Sequence, residues 1–223
     1  MSGMELSLGE FGDVRRARVG RDFLAALVGG QTTCLRKLGG SRAGEVRFGR
    51  FLRNSEVTMS AMLTAAGRAT GERVGGRHIL AIQDTTELNF SAHRRRKQGF
   101  GTVGNGVDSG LFMHPVVAVD AATGGIMGLA GARVLNRTER RRTPRRKRVL
   151  SDKESRRWLD GAETAGRVLC GALSITVVAD RESDIYEAFA LNPDGVELVI
   201  RAAQDRVLED GARLFAQIGR AHV

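Results

Sequence analysis

Two short apolar runs constrain this chain more than anything else in it. "HILAIQD" spans His78 to Asp84 and "LSITVVAD" spans Leu173 to Asp180. Both are rich in branched aliphatic residues, lack helical spacing and are too short for an ordinary helix, so both read as buried strands. Each ends on an aspartate. The fold must therefore hold a sheet that takes both strands, and it must tolerate a carboxylate at the end of each.

The intervening sequence says what kind of sheet. "GLFMHPVVAVD" (Gly110 to Asp120) reads as a second strand, Ala121 to Gly125 as a turn and "IMGLAGARVL" (Ile126 to Leu135) as a third strand. A glycine- and arginine-rich loop is expected over Ser91 to Ser109. Short links predict an antiparallel meander. "RTERRRTPRRKR" (Arg137 to Arg148) is too charged to pack, and Pro144 blocks a continuous helix through it. Ser151 and Glu154 have capping-box spacing. The helix they would open carries Trp158, Ala162, Ala165 and Leu169 on one face. After Asp180 come a short helix, "ESDIYEAFAL", and a last strand, "GVELVIRAA". The order βββ-α-β-α-β predicts a mixed α/β sheet, meander first and crossovers later.

Upstream of His78 the pattern is helical. In "LGEFGDVRRARVGRDFLAALVGG", Leu8, Phe11, Val14, Val19, Phe23, Leu24 and Leu27 fall near helical spacing, and Gly29–Gly30 makes a stop. In "EVRFGRFLRNSEVT", Phe48, Phe51 and Leu52 would pack on one side while Arg47, Arg50 and Arg53 recur on another. A third amphipathic helix is expected from about Thr58 to Arg73. The reading divides the chain into a basic helical module, 1–76, and an α/β unit, 77–223.

The formal net charge of +10 points to polyanions, with nucleic acid ahead of an anionic membrane surface because no long basic amphipathic helix occurs. A generally arginine-rich proteome would give the same charge without function. Cys34 and Cys170 lie far apart, which excludes a cysteine zinc site and fits a reducing compartment. "FLAALV" is too short to span a membrane and no signal peptide is evident, so a cytoplasmic, nucleoid-associated protein is expected.

Two strand-end acids brought side by side would repel unless a cation lay between them. Their oxygen donors suit Mg²⁺ or Mn²⁺, ions that activate an attacking oxygen and stabilise a leaving one in phosphoryl transfer. Nearby basic loops, with Arg145, Arg146 and Lys147, would hold a phosphate backbone. The plain alternative is that Asp84 and Asp180 are turn formers or helix caps, a role that Asp180 suits well. "GFGTVG" (Gly99 to Gly104) matches a dinucleotide-binding fingerprint literally but has neither strand before it nor helix after it, so a flexible loop is expected there. His114 and Trp158 read as core residues, and Glu182 and Asp184 as acids favouring the start of the following helix.

Six segments in order resemble the IS4-type transposases: "LGEFGDVRRARV", "RFGRFLRN", "IQDTTELNF", "GLFMHPVVAVD" with "GGIMGL", "DKESRRWL" and "ADRESDIYE". The resemblance implies an RNase H-like core behind a helical DNA-binding domain, acting with Mg²⁺ or Mn²⁺ to cleave transposon ends and transfer them into target DNA. It makes Asp84 and Asp180 the first two members of a D-D-E metal-binding triad and places Arg15, Arg16, Arg50 and Arg53 in the end-binding module. The family's third acid lies in a Y-x-x-R-x-x-x-E motif. Here Phe189 stands where that arginine follows Tyr186, and Glu209 has no such motif around it. The resemblance thus implies an incomplete core, ending near the family's inserted β domain and short of its dimerisation region. The expected activity is DNA binding on double-stranded ends with impaired catalysis; the alternative is a non-catalytic DNA-binding regulator or a remnant fragment.

Overall fold

The structure, a computed structural model, describes residues 7–93, 98–104, 106–137 and 154–218. Helix α1 (Val14–Gly30) starts later than its apolar pattern because the Asp13 carboxylate accepts from the backbone N–H of Arg15 (2.7 Å) and Arg16 (3.3 Å), fixing the first turn. Helix α2 (Leu35–Gly39) is short. Ser41 and Thr58 cap α3 (Arg42–Leu52) and α4 (Met59–Gly71) in the same way. Phe11, Phe23, Phe48 and Phe51 form the apolar centre of α1–α3, with Phe23 and Phe48 ring centroids 5.1 Å apart. Gly20 permits this closeness, since a β-carbon there would meet both the Phe11 and Phe51 rings at 3.2 Å. Leu52, expected among these side chains, is exposed.

A seven-stranded mixed sheet follows. Its spine is β4 (Asp108–Asp120). One edge of β4 takes β1 (His78–Gln83) and then β2 (Thr86–Asn89), both antiparallel. The other takes β5 (Ile126–Leu135) and β3 (Gly101–Val103). The β1 and β2 registers continue one another, so Asp84 and Thr85 stand opposite Pro115 and His114. Pro115 has no N–H to give, and the ladder breaks there. A single long strand is thus split by a two-residue gap, and Asp84 sits in it. Strand β6 (Ser174–Ala179) pairs parallel with β1, and β7 (Val196–Ile200) parallel with β6. The mixed α/β sheet expected from the sequence is present. Beyond expectation are β2 and β3, the latter falling on "GFGTVG" where a flexible loop was predicted.

Helix α5 (Arg156–Val168) supplies the crossover between β5 and β6 and buries Trp158, Leu159, Ala162 and Ala165 against the sheet. Its N-cap, Ser155, makes no side-chain capping hydrogen bond. Ser151, which has capping-box spacing to Glu154, lies outside the described residues; Glu154 receives two hydrogen bonds from Arg137, at 2.8 and 2.5 Å. The sheet's core is Ile79, Ala81, Val116, Ala118, Ile175, Val177 and Val196 under Ala162, Ala165 and Leu169. Helix α4 also lies on this layer: the Thr70 hydroxyl donates to the Leu129 carbonyl at 3.0 Å and Arg73 to that of Met127 at 3.0 Å. Two short helices, α6 (Tyr186–Ala190) and α7 (Leu214–Ile218), complete the chain's order. Among the described residues no helix is long and apolar enough to cross a membrane.

Candidate active site and basic groove

The parallel register of β1 and β6 sets Ile82 beside Val178 and Gln83 beside Ala179. The next residues are Asp84 and Asp180. They therefore leave neighbouring central strands at the same level, each one residue past the last paired position. Alternation along each strand buries Ile79, Ala81 and Gln83 on the α5 side, and likewise Ile175, Val177 and Ala179. The two aspartates continue the opposite, more open series. Both are exposed. One oxygen of Asp84 accepts from Thr85 N–H at 2.6 Å, and one of Asp180 from Glu182 N–H at 2.9 Å. Asp180 thus does cap a turn, the 3-10 segment Arg181–Ser183. Capping engages only one of its two oxygens, so it does not exclude a second role.

In donor type the pair fits a hard divalent cation: two carboxylates, each with its second oxygen without a hydrogen-bond partner among the described residues. In number it is two, and no group of three or more His, Cys, Asp or Glu side chains able to hold a metal occurs among the described residues. Glu209 lies exposed in the loop between Val207 and Arg213. Tyr186 is also exposed.

Beneath the pair lies a polar network that the sequence reading did not foresee. Thr85 alternates toward α5, where its hydroxyl meets His114 Nδ1 at 2.9 Å and receives Arg157 Nε at 2.9 Å. His114 Nε2 meets Gln83 Oε1 at 3.0 Å, and Gln83 Nε2 donates to the Trp158 carbonyl at 3.3 Å. One assignment satisfies every member. Arg157 donates to Thr85, Thr85 donates to Nδ1, Nε2–H donates to Gln83, and the Gln83 amide donates to Trp158. That assignment requires a neutral imidazole. Burial lowers the His114 pKa from 6.5 to about 4, with the Arg157 charge acting in the same direction, the Asp84 backbone opposing and Arg133 adding a little. His114 is thus the satisfied core histidine its sequence context predicts, and Trp158, 2% exposed, is the expected core anchor.

Arg157 holds three partners at once: Thr85, the Glu154 carbonyl (3.0 Å) and the Glu182 carboxylate (2.8 Å). Its side chain is 11% exposed. Burial pulls its pKa below the usual value while Glu182 and Glu154 pull it back, and a guanidinium stays charged throughout. Glu182 thus sits in the first turn of the 3-10 segment, as expected of an acid at a helix start, and its carboxylate also pairs with Arg157. Asp184, also expected at a helix start, is buried and accepts from Ala203 N–H (2.6 Å), Gln204 N–H (2.7 Å) and Arg206 (2.5 Å), which ties the segment after β6 to the one after β7.

In the helical layer, Arg15, Arg16, Arg42, Arg47 and Arg50 line a groove of about 900 Å³ between α1 and α3. Arg47 pairs with Asp22 and Arg42 with Glu45, both at 2.9 Å. Arg15, Arg16 and Arg50 make no salt bridge among the described residues; Arg16 donates to Asn54 Oδ1 at 3.3 Å. Three of the four arginines expected in the end-binding module thus line one groove. Arg53 is not among them, because its Nε folds back onto the Gly49 carbonyl at 2.9 Å. Arg145, Arg146 and Lys147 lie outside the described residues.

No protein-family model matches the chain. Among solved structures, the crystal structure of a pre-cleavage Mos1 transpososome is similar over 99% of this chain and 68% of that one, at 12% identity and a TM-score of 0.28, a likeness at which neither fold nor activity transfers.

Proposed function

We propose that the chain is a DNA-binding transposase core of the IS4 type, RNase H-like in its α/β part, with Asp84 and Asp180 as two of three metal-binding carboxylates. The observation that carries this reading is the in-register exit of both aspartates from adjacent parallel strands. Asp84 and Asp180 would hold Mg²⁺ or Mn²⁺. The ion supplies charge stabilisation and an activated oxygen for phosphodiester chemistry. The arginine groove between α1 and α3 would bind the phosphate backbone of double-stranded transposon ends, and target DNA would be the second nucleic-acid partner. With two carboxylates, the chain binds duplex ends but does not cut them by itself.

Purified chain with Mg²⁺ and a duplex carrying the terminal repeat tests this. Expected are a salt-dependent mobility shift and no strand cleavage, with Mn²⁺ binding that is lost in Asp84→Ala and Asp180→Ala. Cleavage that disappears in Asp84→Ala would show the metal site to be complete. Absence of any Mn²⁺ binding would favour a second reading, a non-catalytic DNA-binding regulator, to which the arginine groove is equally suited.

A further inference from the structure

We propose that Arg157 is a positioning residue that clamps the turn after β1 to the turn after β6 and so fixes how Asp84 and Asp180 face one another. This rests on the reading of those two aspartates as a metal site. The geometry is specific. Nε binds Thr85, the residue after Asp84, and Nη2 binds Glu182, two residues after Asp180, while Nη1 is anchored to the Glu154 carbonyl of its own segment. The two strands are hydrogen-bonded only as far as Gln83 and Ala179. Past that level, with the β1–β4 ladder broken opposite Pro115, the Asp84 backbone has lost its strand partners on both edges. The guanidinium is a planar fork that reaches both turns from one rigid group, which a lysine ammonium on a flexible stem does not reproduce.

The anchoring is equally specific. Arg157 is held next to Trp158, its guanidinium carbon 5.1 Å from the indole centroid, and the Trp158 carbonyl receives Gln83 from β1. Thr85 is gripped from two directions, by Arg157 and by His114. Its hydroxyl, on the α5 side, sets the backbone that carries Asp84 on the other side. On the β6 turn, Glu182 contributes both the N–H that binds Asp180 and the carboxylate that binds Arg157. One residue thus links each aspartate turn to the clamp. Severing the clamp loosens two turns that, among the described residues, share no direct hydrogen bond.

Amide hydrogen exchange and Mn²⁺ titration on the full chain, for Arg157→Lys, Glu182→Ala, Thr85→Val and Thr85→Ser, test this. In Arg157→Lys, amides of Thr85 and Glu182 should both exchange about tenfold faster, the size expected for loss of a hydrogen bond to a charged group, while core amides of β4 and β6 keep their protection. Mn²⁺ affinity should fall with them. Thr85→Val should reproduce the loosening at both turns, and Thr85→Ser, which keeps the hydroxyl, should restore it. Should Arg157→Lys not fold, Glu182→Ala, which removes an exposed side chain, must loosen the Thr85 turn as well as its own. Loosening of only one turn, or unchanged exchange in both, overturns the clamp. If both turns loosen while the unsubstituted chain binds no Mn²⁺, the clamp stands and the metal reading fails.

Discussion

His114 shows how one side chain couples the site to stability. Unfolded, it titrates near 6.5; folded, its pKa is lowered to about 4 by burial first and the Arg157 charge second. Between those values the unfolded chain holds a proton that the folded chain does not, so stability falls as pH drops from 6.5 toward 4 and is fully present above 6.5. The gap corresponds to on the order of 3 kcal/mol. Asp13 and Asp120, whose pKa values are held below 3.8 chiefly by backbone N–H bonds, act in a lower window. Urea denaturation at pH 7.5, 6.0 and 4.5 should show this slope. In His114→Gln, which keeps a donor and an acceptor, the slope should flatten while stability at pH 7.5 drops. Parallel profiles for the two proteins would remove His114 as its source. The same protonation would cost the network its Thr85 acceptor, since an imidazolium donates from both nitrogens.

The elements around the site owe their placement to close approach as much as to apolar burial. A β-carbon added at Gly161 would be driven into Gln83 Oε1, with the Val116 side chain 3.4 Å away. Alanine favours a helix over glycine by about 1 kcal/mol. Overpacking costs about 1–3 kcal/mol and a broken buried hydrogen bond about 1–3 kcal/mol more, so packing wins. Gly161→Ala should destabilise the chain by about 2 kcal/mol or more. At Gly29 in α1 nothing lies within 4 Å of an added β-carbon, and Gly29→Ala should gain a few tenths of a kcal/mol. Thermal melts of both variants check the pair; equal shifts would refute the contact argument. These cases also show what could be read beforehand. β1, β6, α5 and the exposed aspartates were legible because apolar runs and helical spacing encode burial directly. β2 and β3 were not, because Thr86–Asn89 is exposed throughout and Gly101–Val103 is three residues long; both are strands only because β4 is long enough to pair with them. Arg157 was hidden for a related reason: its three partners lie 3 to 72 positions away, and no local pattern marks it.

The chain's charge of +10 is distributed unevenly enough to test. In the groove between α1 and α3, Arg47 and Arg42 are already paired with Asp22 and Glu45, while Arg15, Arg16 and Arg50 form no salt bridge among the described residues, Asp13 acting on Arg15 and Arg16 only at longer range. Exposed ion pairs contribute about 0–1 kcal/mol, so a phosphate can displace them, but the unmatched arginines gain most from a polyanion. Each phosphate neutralised releases counterions and steepens the salt dependence of binding by about one unit in log K against log salt. Arg50→Ala should therefore lower that slope by about 1, with affinity falling alike on terminal-repeat and random duplexes. Arg53→Ala should leave the slope unchanged, because its Nε is turned onto the Gly49 carbonyl and it forms no part of the groove wall. The two arginines are three positions apart on one helix end and equal in charge, so total charge cannot separate them. Fluorescence anisotropy across a salt series on a labelled duplex makes the measurement. If both variants reduce the slope equally, binding follows net charge over the whole surface and the groove is not its seat; if only Arg50 does, the groove between α1 and α3 is where the DNA lies.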